Sequence, residues 1–161
     1  MFKVVGNSVL EQQIKAAEKE AFEILSDEEL SPISRASALR EALQMKERAA
    51  RFILEQMGQQ ITLLKGNGVS SVSLVVIAEA YKQALESSAD QMQVFAKELA
   101  GLTHNKEMEE GYSYISERLS YEAEALIIPL RESKEKALSD LDSMVFAEIY
   151  DTWQNMENKP I

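Results

Sequence analysis

The chain has no cysteine and only one histidine, His104, among its 161 residues. These absences exclude thiolate nucleophiles, disulfides, iron–sulfur ligation and His-rich metal centres, so we predict no metal and no cofactor. Proline occurs three times and glycine six times. Because residues of high helix propensity fill the long stretches between these breakers, the sequence predicts an all-α protein.

Long apolar runs are also missing. The longest, from Leu74 to Ala78, is far shorter than the ~20 residues that cross a bilayer. The first residues, Met1 to Asn7, lack the basic region and apolar core of a secretory signal. We therefore predict a cytoplasmic protein without membrane insertion, and leave leaderless export open.

Charge is distributed unevenly along the chain, which carries 17 basic and 27 acidic residues and a net charge of −10. Acidic proteins are repelled by phosphate backbones, so we predict no direct binding of nucleic acid. Residues 31–65 differ, with six basic and three acidic residues. Their Arg40, Arg48 and Arg51 either pack beside acidic neighbours within the fold or form a charged docking surface for an acidic partner.

Apolar residues recur every three or four positions, which predicts helices. The expected spans are about residues 8–27, 32–65, 71–100, 106–128 and 129–157. Ser8 and Glu11 are expected to form a capping box at the start of the first helix. Ser31 as N-cap and Pro32 as the first helical residue mark the start of the second helix. Gly101 is expected to end the third helix.

Pro129 interrupts the last apolar stripe, which continues beyond it. Proline lacks the N–H that would bond the carbonyl of Ala125, and its ring clashes with that carbonyl. The sequence therefore predicts either one helix kinked at Pro129 or two helices with a break at Ile128. We favour the kink, because the residues that follow have no turn chemistry.

The stretch from Leu119 to Leu141 places Ile128, Pro129 and Leu130 inside a long helix. This arrangement resembles the Pro-Leu kink in the crescent helices of BAR-type membrane-curving domains. The resemblance implies a membrane-bound crescent with a basic concave face. The segment here is strongly acidic, so we do not assign the chain to that family.

These features predict a single domain over residues 1–161, an elongated antiparallel bundle of four to five helices. The second and third helices form a hairpin around Gly66 to Gly68. Lys46 falls within an apolar stripe, where we expect its stem on the core and its ammonium group in water. The predicted core of the third helix is Leu74, Ile77, Tyr81, Ala84, Ser88, Met92, Phe95 and Leu99.

Val69, Val72 and Val76 lie on the side of the third helix opposite that core, so its first turns are apolar nearly all round. We call these residues the valine patch. Either another helix covers the patch within the fold, or a partner does.

Phe146, Tyr150 and Trp153 form an aromatic edge along the last helix, beside a main stripe of Leu141, Val145, Ile149 and Met156. Amphipathic helices commonly bury aromatic residues in the core. The alternative is an anchor for a partner, because tryptophan and tyrosine dominate binding hot spots. We select the valine patch and the aromatic edge as candidate partner-binding residues.

No motif for catalysis is present: the chain has no Glu-x-x-His pair and no phosphate-binding glycine loop. We predict a non-catalytic interaction protein, an adaptor, assembly or secretion factor, or inhibitor, that binds a protein partner or a second copy of itself by helix–helix contact. One alternative is an acidic inhibitor that mimics nucleic acid, with carboxylates over residues 107–124 and 140–151. Another is a carboxylate-based enzyme on a helical scaffold.

Overall fold

The computed structural model describes residues 12, 15–16, 19 and 22–157. Three long helices follow one another: α1 (Pro32–Gly66), α2 (Ser71–Thr103) and α3 (Lys106–Glu157). Residues 22–25, before α1, are also helical, and the described residues contain no strand. The all-α prediction is confirmed. The capping box of Ser8 and Glu11 lies outside the described residues.

Each long helix begins with a polar side chain that accepts a hydrogen bond from the amide three residues later. The acceptors are Ser31 Oγ, Ser70 Oγ and Asn105 Oδ1, at 3.2, 3.3 and 3.2 Å from the amide nitrogen. Such caps satisfy backbone donors that have no partner within the helix. The predicted starts at Pro32 and Ser71 are confirmed.

The two turns between the helices use different left-handed residues. Between α1 and α2 the turn residue is Gly68, with φ of 81°. The predicted end of α2 at Gly101 is wrong, because α2 continues to Thr103 and the left-handed residue is His104, with φ of 54°. A glycine inside a helix costs only about 1 kcal/mol relative to alanine, so Gly101 is tolerated there.

α3 remains helical through Pro129. The favoured prediction of one helix through Pro129 is confirmed, and the alternative of a break at Ile128 is wrong, so the two segments 106–128 and 129–157 are one helix. Leu130, directly after the proline, is buried in the core shared with α2. This packing holds the chain on its helical path although Pro129 lacks an N–H donor.

α2 is the central element of the bundle. It packs along most of α1 and along α3, whereas α1 and α3 contact each other little. Both neighbours run antiparallel to α2: Arg35 near the start of α1 lies 2.5 Å from Glu98 near the end of α2, and Ser116 of α3 donates to the carbonyl of Ala89. The predicted antiparallel bundle is confirmed for these helices.

Lys46 is buried, with 6% of its surface exposed, and its Nζ lies 5.1 Å from the centre of the Phe22 ring. Our expectation that its ammonium group would reach water is wrong. The segment before α1 covers it, since Phe22 also packs on Phe95 of α2 and Arg35 donates to the carbonyl of Leu25. A cation over an aromatic face is attracted by the ring quadrupole.

Candidate interaction surface

α3 is much longer than the hairpin on which it packs. It has 52 residues, against 35 in α1 and 33 in α2. At 1.5 Å per residue these lengths are about 78, 52 and 50 Å. Leu130 is the last buried residue of α3, and every residue from 135 to 157 is exposed. We call residues 135–157 the projecting segment, which extends roughly 35 Å beyond the hairpin.

The projecting segment carries an uncovered apolar stripe, which we call the distal face. Its members are Leu138, Leu141, Val145, Ile149, Trp153 and Met156, which are between 45% and 69% exposed. On a helix of 3.6 residues per turn they lie within about 60° of a common line. Nearer the bundle, Ile127 and Leu130 on the same side of α3 are buried. The distal face therefore has the chemistry of a helix–helix core, and water covers it.

The aromatic edge shares Trp153 with the distal face and is equally open. Phe146 is 70% exposed and Tyr150 is 49% exposed. Their rings stack with centres 6.5 Å apart and planes 13° from parallel. Gln154 Nε2 donates to the Tyr150 hydroxyl at 2.9 Å. The interpretation of this edge as core is wrong, because α3 has left the bundle before it reaches these rings. Partner binding by the aromatic edge stays a prediction.

The projecting segment is acidic where the distal face lies. Residues 138–157 contain five carboxylates and no lysine or arginine. With 3.6 residues per turn, Asp142 lies about 40° to one side of the centre line of the distal face and Glu148 about 80° to the other side, and Asp140 and Asp151 point away from it. A partner on the distal face therefore meets two carboxylates at the borders of the apolar stripe.

An ion cluster fastens α3 to α2 close to the point where α3 leaves the bundle. Glu124 accepts a hydrogen bond from Lys82 Nζ at 2.5 Å and another from Arg131. Arg131 also lies 3.5 Å from Glu79 of α2. These hydrogen bonds, first from Lys82 and then from Arg131, hold the pKa of Glu124 below its usual value. The cluster adds polar contacts between α2 and α3 to the apolar packing that ends at Leu130.

The valine patch is only partly covered. Val69 packs against the core that α1, α2 and α3 share. Val72 is 41% exposed and Val76 is 64% exposed, so no helix of the described residues shields them fully. The interpretation that another helix covers the patch holds for Val69 alone. Binding of a partner at Val72 and Val76 stays a prediction.

The three candidate docking arginines are exposed along one flank of α1. Arg51 pairs with Glu47 one turn earlier, at 3.1 Å. Arg40 lines a cavity of about 590 Å³ where α1 meets the end of α2 and the start of α3. In the described structure, Arg48 neither forms an ion pair nor lines this cavity. A shared docking surface for these arginines stays a prediction.

The cavity beside Arg40 does not collect groups suited to acid–base catalysis. Its described lining includes Leu43, Met108 and Tyr112 but no carboxylate. Burial raises the pKa of the Tyr112 hydroxyl. Within the described part of the chain, no three His, Cys, Asp or Glu side chains cluster in a way that could hold a metal ion.

From the sequence, only Trp153 of the distal face is predicted to bind a partner, because the same periodicity is typical of buried and exposed stripes. The available signal was length: a continuous last helix is longer than either of its neighbours can cover. Dividing this helix into the spans 106–128 and 129–157 concealed the mismatch, although one kinked helix was the favoured interpretation.

None of the helices in the described ranges is long and apolar enough to cross a membrane. Comparison of the chain with protein-family models, with curated proteins and with solved structures found no match. The function must therefore be inferred from the surface of this chain itself.

Proposed function

We propose that this chain is a non-catalytic interaction protein that binds another protein by helix–helix contact through the projecting segment of α3. The bundle of α1, α2 and the first half of α3 serves as the base. The distal face and the aromatic edge form the contact.

The observation that carries this proposal is a row of large apolar side chains exposed along about 27 Å of helix, from Leu138 to Met156. Burial of apolar surface contributes roughly 25 cal/mol per Å². Monomeric proteins rarely expose contiguous apolar patches beyond a few hundred Å² unless the patch serves in binding. Trp153 and Tyr150 add the residue types that dominate binding hot spots.

The base supports binding because it presents the helix already formed. An isolated helix of about 20 residues is marginal in water, and ordering it at the moment of binding weakens the complex. Here α3 continues as one helix from a packed core, and Glu124 of α3 accepts hydrogen bonds from Lys82 of α2 and from Arg131. A partner therefore meets an ordered helix.

Two separate exposed apolar surfaces favour the role of an adaptor or assembly factor. The distal face lies on α3, and the exposed part of the valine patch, Val72 and Val76, lies at the start of α2. A chain with two such surfaces can contact two partners, or one large partner at two places.

The contacts of the carboxylates favour this role over mimicry of nucleic acid. Mimicry requires rows of carboxylates that face outward to a basic groove. In the first half of α3, Glu122 pairs with Arg118 at 3.1 Å and Glu124 pairs with Lys82 at 2.5 Å. These two carboxylates are already engaged within the chain.

Site-specific photo-crosslinking tests the proposal. Phe146 is replaced by a benzophenone analogue of phenylalanine, and the same analogue at Tyr114 is the control. Both side chains are exposed aromatics on α3, but Tyr114 lies within the bundle. After irradiation in cells, we expect position 146 to yield discrete adducts with a protein and position 114 to yield none of them.

Mass spectrometry of the adducts then identifies the partner segment, which we expect to be a helix. Equal adduct patterns at the two positions would contradict the proposal. Crosslinks from position 146 only to the bundle of the same chain would contradict it as well, because the projecting segment would then fold back.

A further inference from the structure

The charges at the borders of the distal face specify the chemistry of its partner. We propose that the distal face binds a basic amphipathic helix of a partner protein, whose apolar stripe is bordered by lysine or arginine side chains that pair with Asp142 and Glu148. This inference rests on the proposed function and names the class of partner.

The apolar part of the partner follows from the distal face itself. Six apolar side chains recur in steps of three or four residues from Leu138 to Met156, over about five turns of helix. A helix laid along this stripe covers it with its own residues at the same spacing. A partner helix of about 20 residues matches its length.

The charged part follows from the absence of any basic residue over residues 138–157. A partner that excludes water from the distal face also partly desolvates Asp142 and Glu148, which flank it. A carboxylate that loses water without gaining a cation or hydrogen-bond donor is strongly destabilised. A partner with positive side chains on both sides of its apolar stripe supplies a cation and a hydrogen-bond donor to each carboxylate.

A second copy of this chain does not meet the requirement. When two distal faces cover each other, in an antiparallel or a parallel pair, residues 138–157 of either copy supply no lysine or arginine to Asp142 or Glu148. Both carboxylates then lose water without gaining a cation. Such burial is unfavourable.

Shifted antiparallel registers do not supply the cations from the described part of the chain. There, the basic residues nearest to the distal face are Lys134 and Lys136, at its bundle end. An antiparallel register that brings either of them level with Asp142 moves Trp153 and Met156 of each copy past the partner's projecting segment. The most exposed part of the distal face is then left uncovered.

Trp153 is the only tryptophan of the chain, so its fluorescence reports directly on this surface. Full-length protein is titrated with three 21-residue peptides that contain no tryptophan. The first has leucine at the a and d positions of three heptads and lysine at e and g; the second has glutamate in place of the lysines. The third has the composition of the first in a scrambled order without helical period.

We expect the lysine peptide to shift Trp153 emission to shorter wavelength and to saturate at one peptide per chain. The glutamate and scrambled peptides should bind at least tenfold more weakly. Binding of the lysine peptide should weaken as salt is added, because the ion pairs are partly screened.

Paired variants of equal charge locate the contact. Asp142→Asn with Glu148→Gln neutralises the borders of the distal face, and Asp140→Asn with Asp151→Asn neutralises its back. All four side chains are exposed. We expect the border pair to reduce affinity at least tenfold and the back pair less than threefold. Ile149→Asn should abolish binding, whereas Ile33→Asn, an exposed isoleucine on α1, should not.

Several outcomes would overturn the inference. If the border variant and the back variant lose the same affinity for the lysine peptide, binding depends only on the net charge of the segment. A shift that develops with protein concentration alone would assign the face to a second copy, and a shift with phosphatidylcholine vesicles would assign it to a membrane. Tighter binding of the glutamate peptide would refute the charge requirement and leave helix binding intact. If neither helical peptide shifts the emission of Trp153, the inference about a basic helix is refuted. The photo-crosslinks from position 146 then test the proposed function independently.

Discussion

Glu124 accepts hydrogen bonds from two basic side chains, Lys82 of α2 and Arg131 of α3 itself. Among the described residues, three ion pairs join different helices: Arg35 with Glu98, Lys82 with Glu124, and Arg131 with Glu79. Exposed pairs within one helix contribute little. Glu124 joins α3 to α2 near Leu130, the last buried residue of α3.

The lowered pKa of Glu124 leads to a prediction about pH. A carboxyl whose pKa is lower in the folded state stabilises the fold above its unfolded pKa, and this contribution disappears as pH falls through the folded value. We expect Glu124→Gln to reduce the free energy of unfolding by about 1 kcal/mol at pH 7. The difference from the unchanged protein should shrink as pH falls below the ordinary value of 4.5.

Urea unfolding at a series of pH values measures this difference. Glu122→Gln is the control, since Glu122 pairs only with Arg118 one turn away in the described structure. It should change stability by at most about 0.5 kcal/mol. A difference for Glu124→Gln that is constant from pH 7 to pH 3 would contradict the prediction.

The core of α2 shows where reasoning from periodicity is right and where it fails. Leu74, Tyr81, Met92 and Leu99 are buried as predicted. Ala84, also predicted as core, is exposed, and the buried residue is its neighbour Leu85. A helix packed between two neighbours buries a wide arc of its surface. A single stripe of residues spaced three or four positions apart therefore contains only some of its buried residues.

We therefore expect Leu85→Ala to destabilise the bundle by about 2–5 kcal/mol, because it leaves a cavity in a filled core. Ala84→Ser on the exposed neighbour should cost about 0.5 kcal/mol, from helix propensity alone. Thermal and urea unfolding compare the two variants. If the two variants lose similar amounts of unfolding free energy, Ala84 belongs to the core of α2 as the sequence predicted.

At the scale of the helix, α3 shows that one amphipathic pattern can serve two environments. Up to Leu130 its apolar side chains pack on α2, and from Leu138 onward they face water. Nothing in the local sequence marks this transition. Pro129, which lies close to it, does not break the helix, because burial of Ile127 before it and Leu130 after it outweighs the loss of one backbone hydrogen bond.

Pro129→Ala should strengthen α3. Alanine restores the N–H that bonds the carbonyl of Ala125 and removes the clash of the ring. We expect the free energy of unfolding to rise by about 1–3 kcal/mol, below the full penalty of a proline in a helix because the fold has already adapted to it.

Chemical unfolding followed by circular dichroism measures the gain. Ser133→Ala, at an exposed position one turn later, is the control and should add only about 0.5 kcal/mol. A loss of stability in Pro129→Ala would show that the proline geometry is required to seat Leu130 in the core.

At the scale of the whole molecule, the lengths of the helices determine the shape. Two helices of about 50 Å support a third of about 78 Å, so the protein is a short bundle with a projecting rod. Small-angle X-ray scattering should give a maximum dimension of at least about 80 Å for the monomer. A chain that ends at Lys134 should give about 50 Å.

The shortened chain should also keep its unfolding midpoint, because it removes no buried side chain of the described structure. A maximum dimension near 55 Å for the full chain would contradict the projection, since it would require the projecting segment to lie back along the bundle.

The sequence alone determined the helices of this protein, most of their ends and its acidic character. These properties depend on residues close together in the chain: caps, breakers and the recurrence of apolar side chains. The tertiary structure decided which apolar stripes are covered. Coverage depends on the relative lengths and positions of α1, α2 and α3, so the same pattern is core up to Leu130 and an open surface beyond Leu138.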